Sequence, residues 1–195
     1  MTGMETTTFD MGPAADEVAR VVAGIRDDQL DDPTPCDGMS VAALLDHVVG
    51  LTYAFRCAAE KTPLPDAPSA SAEGLVGDWR TRLPAQLTAM AEAWRTPTAW
   101  DGTASAGGVT MPAPAMASVA LDELVVHGWD LAAATGQPYS VSDADAVVCT
   151  SFAGAVGESP EERAGLYGPR VPVPASASPF DRLLGLTGRD PAWRP

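Results

Sequence analysis

Apolar residues recur at helical spacing along most of the chain, and proline, glycine and polar clusters cut that pattern into segments. Val18, Val21, Val22 and Ile25 form one stripe of a first helix over about 13–26, with Pro13 at its start, where a missing N–H is tolerated. The polar stretch Asp27–Asp37 contains Pro33 and Pro35 and cannot be helical throughout. Ser40 is a good N-cap for a second helix over about 41–60, whose stripe reads Leu44, Val48, Leu51 and Phe55, with His47 beside it on the inward flank. A Pro- and Ser-rich loop follows at 62–71. Leu75, Trp79, Leu83, Leu87, Met90 and Trp94 predict a third helix, and Pro84 inside that pattern predicts a kink or a late start. Gly102, Gly107 and Gly108, with Trp100 and Val109 around them, point to an irregular hairpin within 96–112. A fourth helix over about 113–135 stops at Gly136, and a fifth starts at Ser142, carries Asp143 and Asp145 in its first turn, and runs to near Gly157. Pro172 and Pro174 mark an extended crossing before a last short helix framed by Ser178, Pro179 and Gly188. The sum is an all-α domain on four main helices, most simply a bundle: one domain over 1–195, with its core at about 10–160 and a short C-terminal extension at about 161–195.

Composition narrows the function more than the fold. A 46% hydrophobic and 19% charged chain folds rather than staying disordered. Twelve basic against 26 acidic residues give a formal charge of −14, which repels nucleic acid and anionic membrane surfaces. Cys36, Cys57 and Cys149 are odd in number and far apart, which fits a reducing compartment better than a disulfide framework. No basic patch followed by an apolar run opens the chain, and no stretch reaches bilayer-spanning length, so the expectation is a soluble, cytoplasmic protein.

The chemistry centres on the two histidines of the chain, both in helical segments. His127 lies four residues after Glu123, which stacks the two side chains on one helical face. With His47 from a facing helix they make a three-donor set of two imidazoles and a carboxylate, which for zinc leaves a fourth position open. Spacing alone favours two ordinary core or surface histidines over a metal site, and it leaves Asp122 as an acidic neighbour pointing about 100° away around the helix. Asp130, three residues beyond His127, either hydrogen-bonds a ligand imidazole and fixes its tautomer or forms a surface ion pair. Cys36, a candidate nucleophile or fourth ligand, reads better as packing, and Trp129 reads as core. Asp27, Asp28, Asp31 and Asp32 lack the alternation and terminal Glu of a calcium loop and read as a solvated link.

Two longer runs carry a resemblance. Pro33-Thr34-Pro35-Cys36-Asp37-Gly38-Met39-Ser40-Val41 with Leu44-Leu45-Asp46-His47-Val48-Val49-Gly50, and Asp122-Glu123-Leu124-Val125-Val126-His127-Gly128-Trp129-Asp130-Leu131-Ala132 with Ala134-Thr135-Gly136-Gln137, resemble the mycothiol-dependent maleylpyruvate isomerase family of the DinB-like metal-binding superfamily. The stretch from Tyr167 to Trp193 is similar to members of the same group. The resemblance implies an up-down-down-up four-helix bundle and a divalent metal on His47, Glu123 and His127: zinc foremost, with nickel, iron and manganese open to the same N/O donors. Met39 departs from the family, which usually has Trp there. Complete isomerases of this kind carry a further C-terminal domain for which 195 residues leave no room, so the expectation moves to short relatives that look like small-thiol transferases. The resemblance thus implies a metal that turns a small thiol, mycothiol in type, into a thiolate poised against an electrophilic substrate. The competing expectations are a non-catalytic metal- or ligand-sensing module and a purely structural metal.

Overall fold

The computed structural model describes residues 8–64 and 70–195, so part of the loop expected at 62–71 and the first seven residues fall outside the description. Among the described residues are seven helices, α1 (Gly12–Gly24), α2 (Val41–Glu60), α3 (Trp79–Trp94), α4 (Ala113–Ala134), α5 (Asp143–Ala155), α6 (Pro160–Arg163) and α7 (Pro179–Leu186). One antiparallel hairpin, β1 (Thr103–Ala106) and β2 (Val109–Pro112), stands between α3 and α4. The fold is therefore mostly helical rather than strictly all-α. Gly107 and Gly108, both at positive φ, make the tight turn that lets these two strands pair.

Local sequence sets the helix ends. The Ser40, Ser142 and Ser178 hydroxyls accept the N–H groups of Ala43, Asp145 and Asp181 at 3.3, 3.0 and 3.0 Å, each satisfying an otherwise unpaired donor of the first turn. Replacing Ser40 with Ala is expected to cost about 1 kcal/mol in urea denaturation; an unchanged midpoint would remove the cap from this account. At the far end of α4, Gly136 (φ +68°) turns the chain back so that Gln137 N–H reaches the Ala132 carbonyl at 2.9 Å. Helix α3 begins at Trp79, later than its apolar pattern, and accommodates Pro84 in its second turn, where the Arg80 carbonyl gives up its helical partner.

Helix α1 packs on α3 and α4, and α2 packs on the same two, closing a ring of four; α5 lies on α4 and α7 on α5. Val18, Leu44, Leu45, Leu83, Leu87, Met90, Leu121 and Leu131 fill the interior with essentially no exposure. Trp94 is buried among them and its indole N–H donates to the Phe55 carbonyl at 3.1 Å, which ties α3 to α2. Contrary to the expectation from sequence, one described segment, α2, is long and apolar enough to cross a bilayer. Its window is 61% buried inside the fold and it carries His47, so its apolar surface is the core side of an interior helix.

Candidate metal centre

The segment before α2 folds on itself through Thr34. Its N–H and its hydroxyl both donate to the Met39 carbonyl, at 3.2 and 2.9 Å, and Gly38 at φ +75° permits the reversal between them. This turn presses Cys36 and Met39 against the fold, with the Cys36 thiol donating to Met39 Sδ at 3.6 Å, and delivers the chain to the Ser40 cap. Two turns further, α2 presents His47 toward α4.

Helix α4 is buried almost all round, so its polar residues must find partners inside the protein. Glu123 and His127 stack as their spacing predicts, with Glu123 Oε2 3.0 Å from His127 Nε2 and 3.8 Å from His47 Nε2. The two imidazoles meet edge to face, with centroids 5.0 Å apart. One donor atom from each of the three residues lies within 4.8 Å of the other two. Side-chain exposure falls from 33% at His47 through 20% at Glu123 to 10% at His127, so the cluster is most open to solvent on the His47 side.

The other ring nitrogen decides what this cluster can hold. His127 Nδ1 lies 3.0 Å from Asp130 Oδ2. Asp130 is 0% exposed and is gripped by Arg189, Nη2 to Oδ2 at 2.9 Å and Nε to Oδ1 at 3.3 Å. A carboxylate under a guanidinium fork stays an acceptor, so the Nδ1 proton donates to it and the neutral ring is left with a lone pair on Nε2. Nε2 lies 3.0 Å from Glu123 Oε2, a buried atom that accepts no hydrogen bond of adequate geometry, so the lone pair is directed off the line between them. Two acceptors this close with no hydrogen bond between them are relieved by a cation that both can reach, or by a second proton on His127. The donor set and the orphaned oxygen both fit a divalent ion. Burial opposes charge on His127, but the Asp130 and Glu123 carboxylates outweigh it and lift the ring to about 9. Burial likewise opposes charge on Glu123, and the two histidines outweigh it, holding that carboxyl below the ordinary carboxylate range.

The neighbouring candidates separate cleanly. Asp122 turns away from the cluster and accepts the Tyr167 hydroxyl at 2.6 Å; burial pushes it up to about 7. Cys36 lies within 4.8 Å of a His127 ring nitrogen and an Asp130 oxygen, yet burial, then the Asp130 charge, push its thiol up to about 11, which suits packing and not attack. Trp129, expected in the core, is half-buried. Of the acids at 27–32, Asp28 pairs with Arg26 at 2.9 Å and Asp27 with Arg80 at 2.8 Å, both at the surface, as a solvated link would. Reading the sequence alone missed Arg189. Its one local signal is an arginine directly after Gly188, where an apolar helix ends and no acidic partner lies within a turn upstream.

Residues 11–132 match the family described as Mycothiol maleylpyruvate isomerase N-terminal domain. Two uncharacterized proteins of Mycobacterium tuberculosis, from strains CDC 1551 / Oshkosh and H37Rv, are each 30% identical over 178 residues, covering 90% of this chain and 93% of theirs. Among solved structures, the mycothiol-dependent maleylpyruvate isomerase is similar with a TM-score of 0.59 at 18% identity over 75% of this chain. A histidine-to-alanine mutant of that enzyme follows at 0.56. The chain spans 66% of the solved enzyme's length, and at this identity the likeness speaks to the fold. The sequence match takes in all three candidate ligands on α2 and α4, and on it the chain belongs to the mycothiol maleylpyruvate isomerase N-terminal domain family.

Proposed function

We propose that this protein binds one divalent metal ion, zinc foremost, through His47, Glu123 and His127, and uses it with a small thiol of the mycothiol type in a transfer or isomerisation reaction. The observation that carries this reading is the buried, unpartnered Glu123 Oε2 facing the Nε2 atoms of both histidines. When bound, such an ion supplies positive charge at an open coordination position and favours the thiolate form of a thiol placed there. The protein's own part is to hold the donors. Asp130 keeps the proton of His127 on Nδ1, Glu123 supplies the one negative charge, and His47 completes the set from the side open to solvent. Cys36, carried by the Thr34 turn and backed by Met39, supplies soft surface beside His127. The same reading gives the four long helices the up-down-down-up course, supported by the ring in which α1 and α2 share the partners α3 and α4.

The test is conjugation of a low-molecular-weight thiol to an activated alkene or an epoxide. Turnover is expected in the zinc-loaded protein, lost after chelation and restored by zinc. Equal rates before and after chelation would overturn the enzymatic reading. Tight zinc with no thiol-dependent turnover would replace it with a binding module.

A further inference from the structure

The strongest coupling to the candidate site from outside the matched family region is made by the C-terminal segment. Residues 11–132 carry the three candidate ligands and Asp130, whereas Arg189 comes 59 residues after Asp130. We propose that Arg189 is a positioning residue of the metal centre: by clasping Asp130 it sets the orientation and tautomer of His127, so that the segment after α5 is a working part of the site. The inference rests on the metal reading given above.

The local sequence aims this side chain. Helix α7 ends in a paired-carbonyl turn: Gly188, at φ +83°, sends its N–H to Gly185 O at 3.2 Å, and Arg189 N–H bonds Leu184 O at 2.8 Å. Any residue with a Cβ at Gly188 would be strained by that φ and would also press on the Gly168 backbone. The turn therefore fixes the Arg189 backbone, and Nη1 braces against the Thr187 carbonyl at 2.8 Å. The remaining N–H groups form a fork onto both oxygens of Asp130, with side-chain exposures of 6% and 0%. Asp130 Oδ2 is shared: it accepts from Arg189 at 2.9 Å and from His127 Nδ1 at 3.0 Å. With the guanidinium filling one side of the carboxylate, the only direction left for Oδ2 is toward the imidazole. The ring is held by a short, rigid chain of bonds from the α7 turn, which places Nε2 3.0 Å from Glu123 Oε2 and the ring edge to face with His47. A second contact docks the same segment on α4, the Tyr167 hydroxyl on Asp122, so one anchoring point can be weakened without releasing the tail.

Arg189→Met keeps most of the side-chain volume and removes the fork; Arg189→Lys keeps the charge and reaches one oxygen. Zinc affinity is expected to fall roughly 10–100-fold in Arg189→Met, the range seen when outer partners of ligand histidines are lost, and less in Arg189→Lys. The visible spectrum of the cobalt(II)-loaded Arg189→Met protein is expected to change in position or intensity, because the geometry at His127 relaxes. Tyr167→Phe, which loosens the tail without touching Asp130, is expected to leave that spectrum as in wild type. Arg189→Met binding zinc within twofold of wild type, with an unaltered cobalt spectrum, would overturn the inference and leave Arg189 as a tail anchor; so would an equal spectral change in Tyr167→Phe. If Arg189→Met does not fold, the Arg189→Lys spectrum and affinity decide on the same criteria. Wild-type protein that takes up no metal at all would fail the metal reading instead.

Discussion

Elemental analysis of untagged protein is expected to return about one divalent ion per wild-type chain and almost none for His127→Ala, whose zinc affinity should drop by well over ~100-fold. The size of the drop follows from what is removed. Losing an outer partner of a ligand histidine costs roughly 10–100-fold, and His127 is itself a donor that also takes Asp130 out of the arrangement. The two donors left, His47 and Glu123, sit on separate helices with 3.8 Å between Nε2 and Oε2, and the open side at His47 admits water to compete. Glu123→Gln is the more informative companion. The amide keeps the carboxylate's shape and puts a donor, in place of a second acceptor, 3.0 Å from His127 Nε2. That variant is expected to stay folded and to lose the metal together, which separates loss of a ligand from loss of structure. Either variant retaining a full equivalent of metal would sink the three-residue site.

How much of this was legible in the sequence depended on the reach of the interaction. Helix ends set by side chains next to them, Ser40, Ser142 and Ser178 at one end and Gly136 and Gly188 at the other, follow from local hydrogen bonding and could be placed to within a residue or two. The Glu123–His127 pair needs one helical turn and was equally readable, as was the neighbouring Asp130. Pro84 shows the limit of a local rule: it is tolerated inside α3 because the carbonyl it leaves unpaired, that of Arg80, sits on an exposed residue. The convergence of His47 with α4 depends on α2 packing against α4, which periodicity permits but does not dictate. The Arg189–Asp130 and Tyr167–Asp122 contacts span 59 and 45 residues and depend on how short C-terminal helices dock, for which single-chain pattern carries almost no signal. Trp129 was misjudged for a related reason. A large apolar residue on a central helix is usually core, yet here it falls at a half-buried position on α4.

Chelator-stripped protein is expected to lose about 3 kcal/mol of stability as pH rises from 6.5 to 9, while zinc-loaded protein does not share that loss. The sign follows from His127. Burial works against its charge, but Asp130 and Glu123 more than compensate and raise the ring from 6.5 to about 9 in the folded, metal-free protein. Over that interval the folded state holds a proton that the unfolded state has released, so stability is fully present below the unfolded value and drains away as pH climbs through the folded one. A shift of that size corresponds to about 3 kcal/mol at 1.36 kcal/mol for each pH unit. Two other buried acids bracket the window without filling it. Asp122, raised to about 7, has given up most of its contribution by neutral pH, and Cys36, raised to about 11, contributes its loss above 9. A divalent ion takes the place of the Nε2 proton, so zinc affinity should rise across the same interval as the competing proton leaves. Urea denaturation of metal-free protein at pH 6.5 and 9, with His127→Gln as the control that lacks the slope, reads the effect directly. A flat profile in the wild type would mean that Asp130 and Glu123 do not hold a second proton on His127 in the metal-free protein.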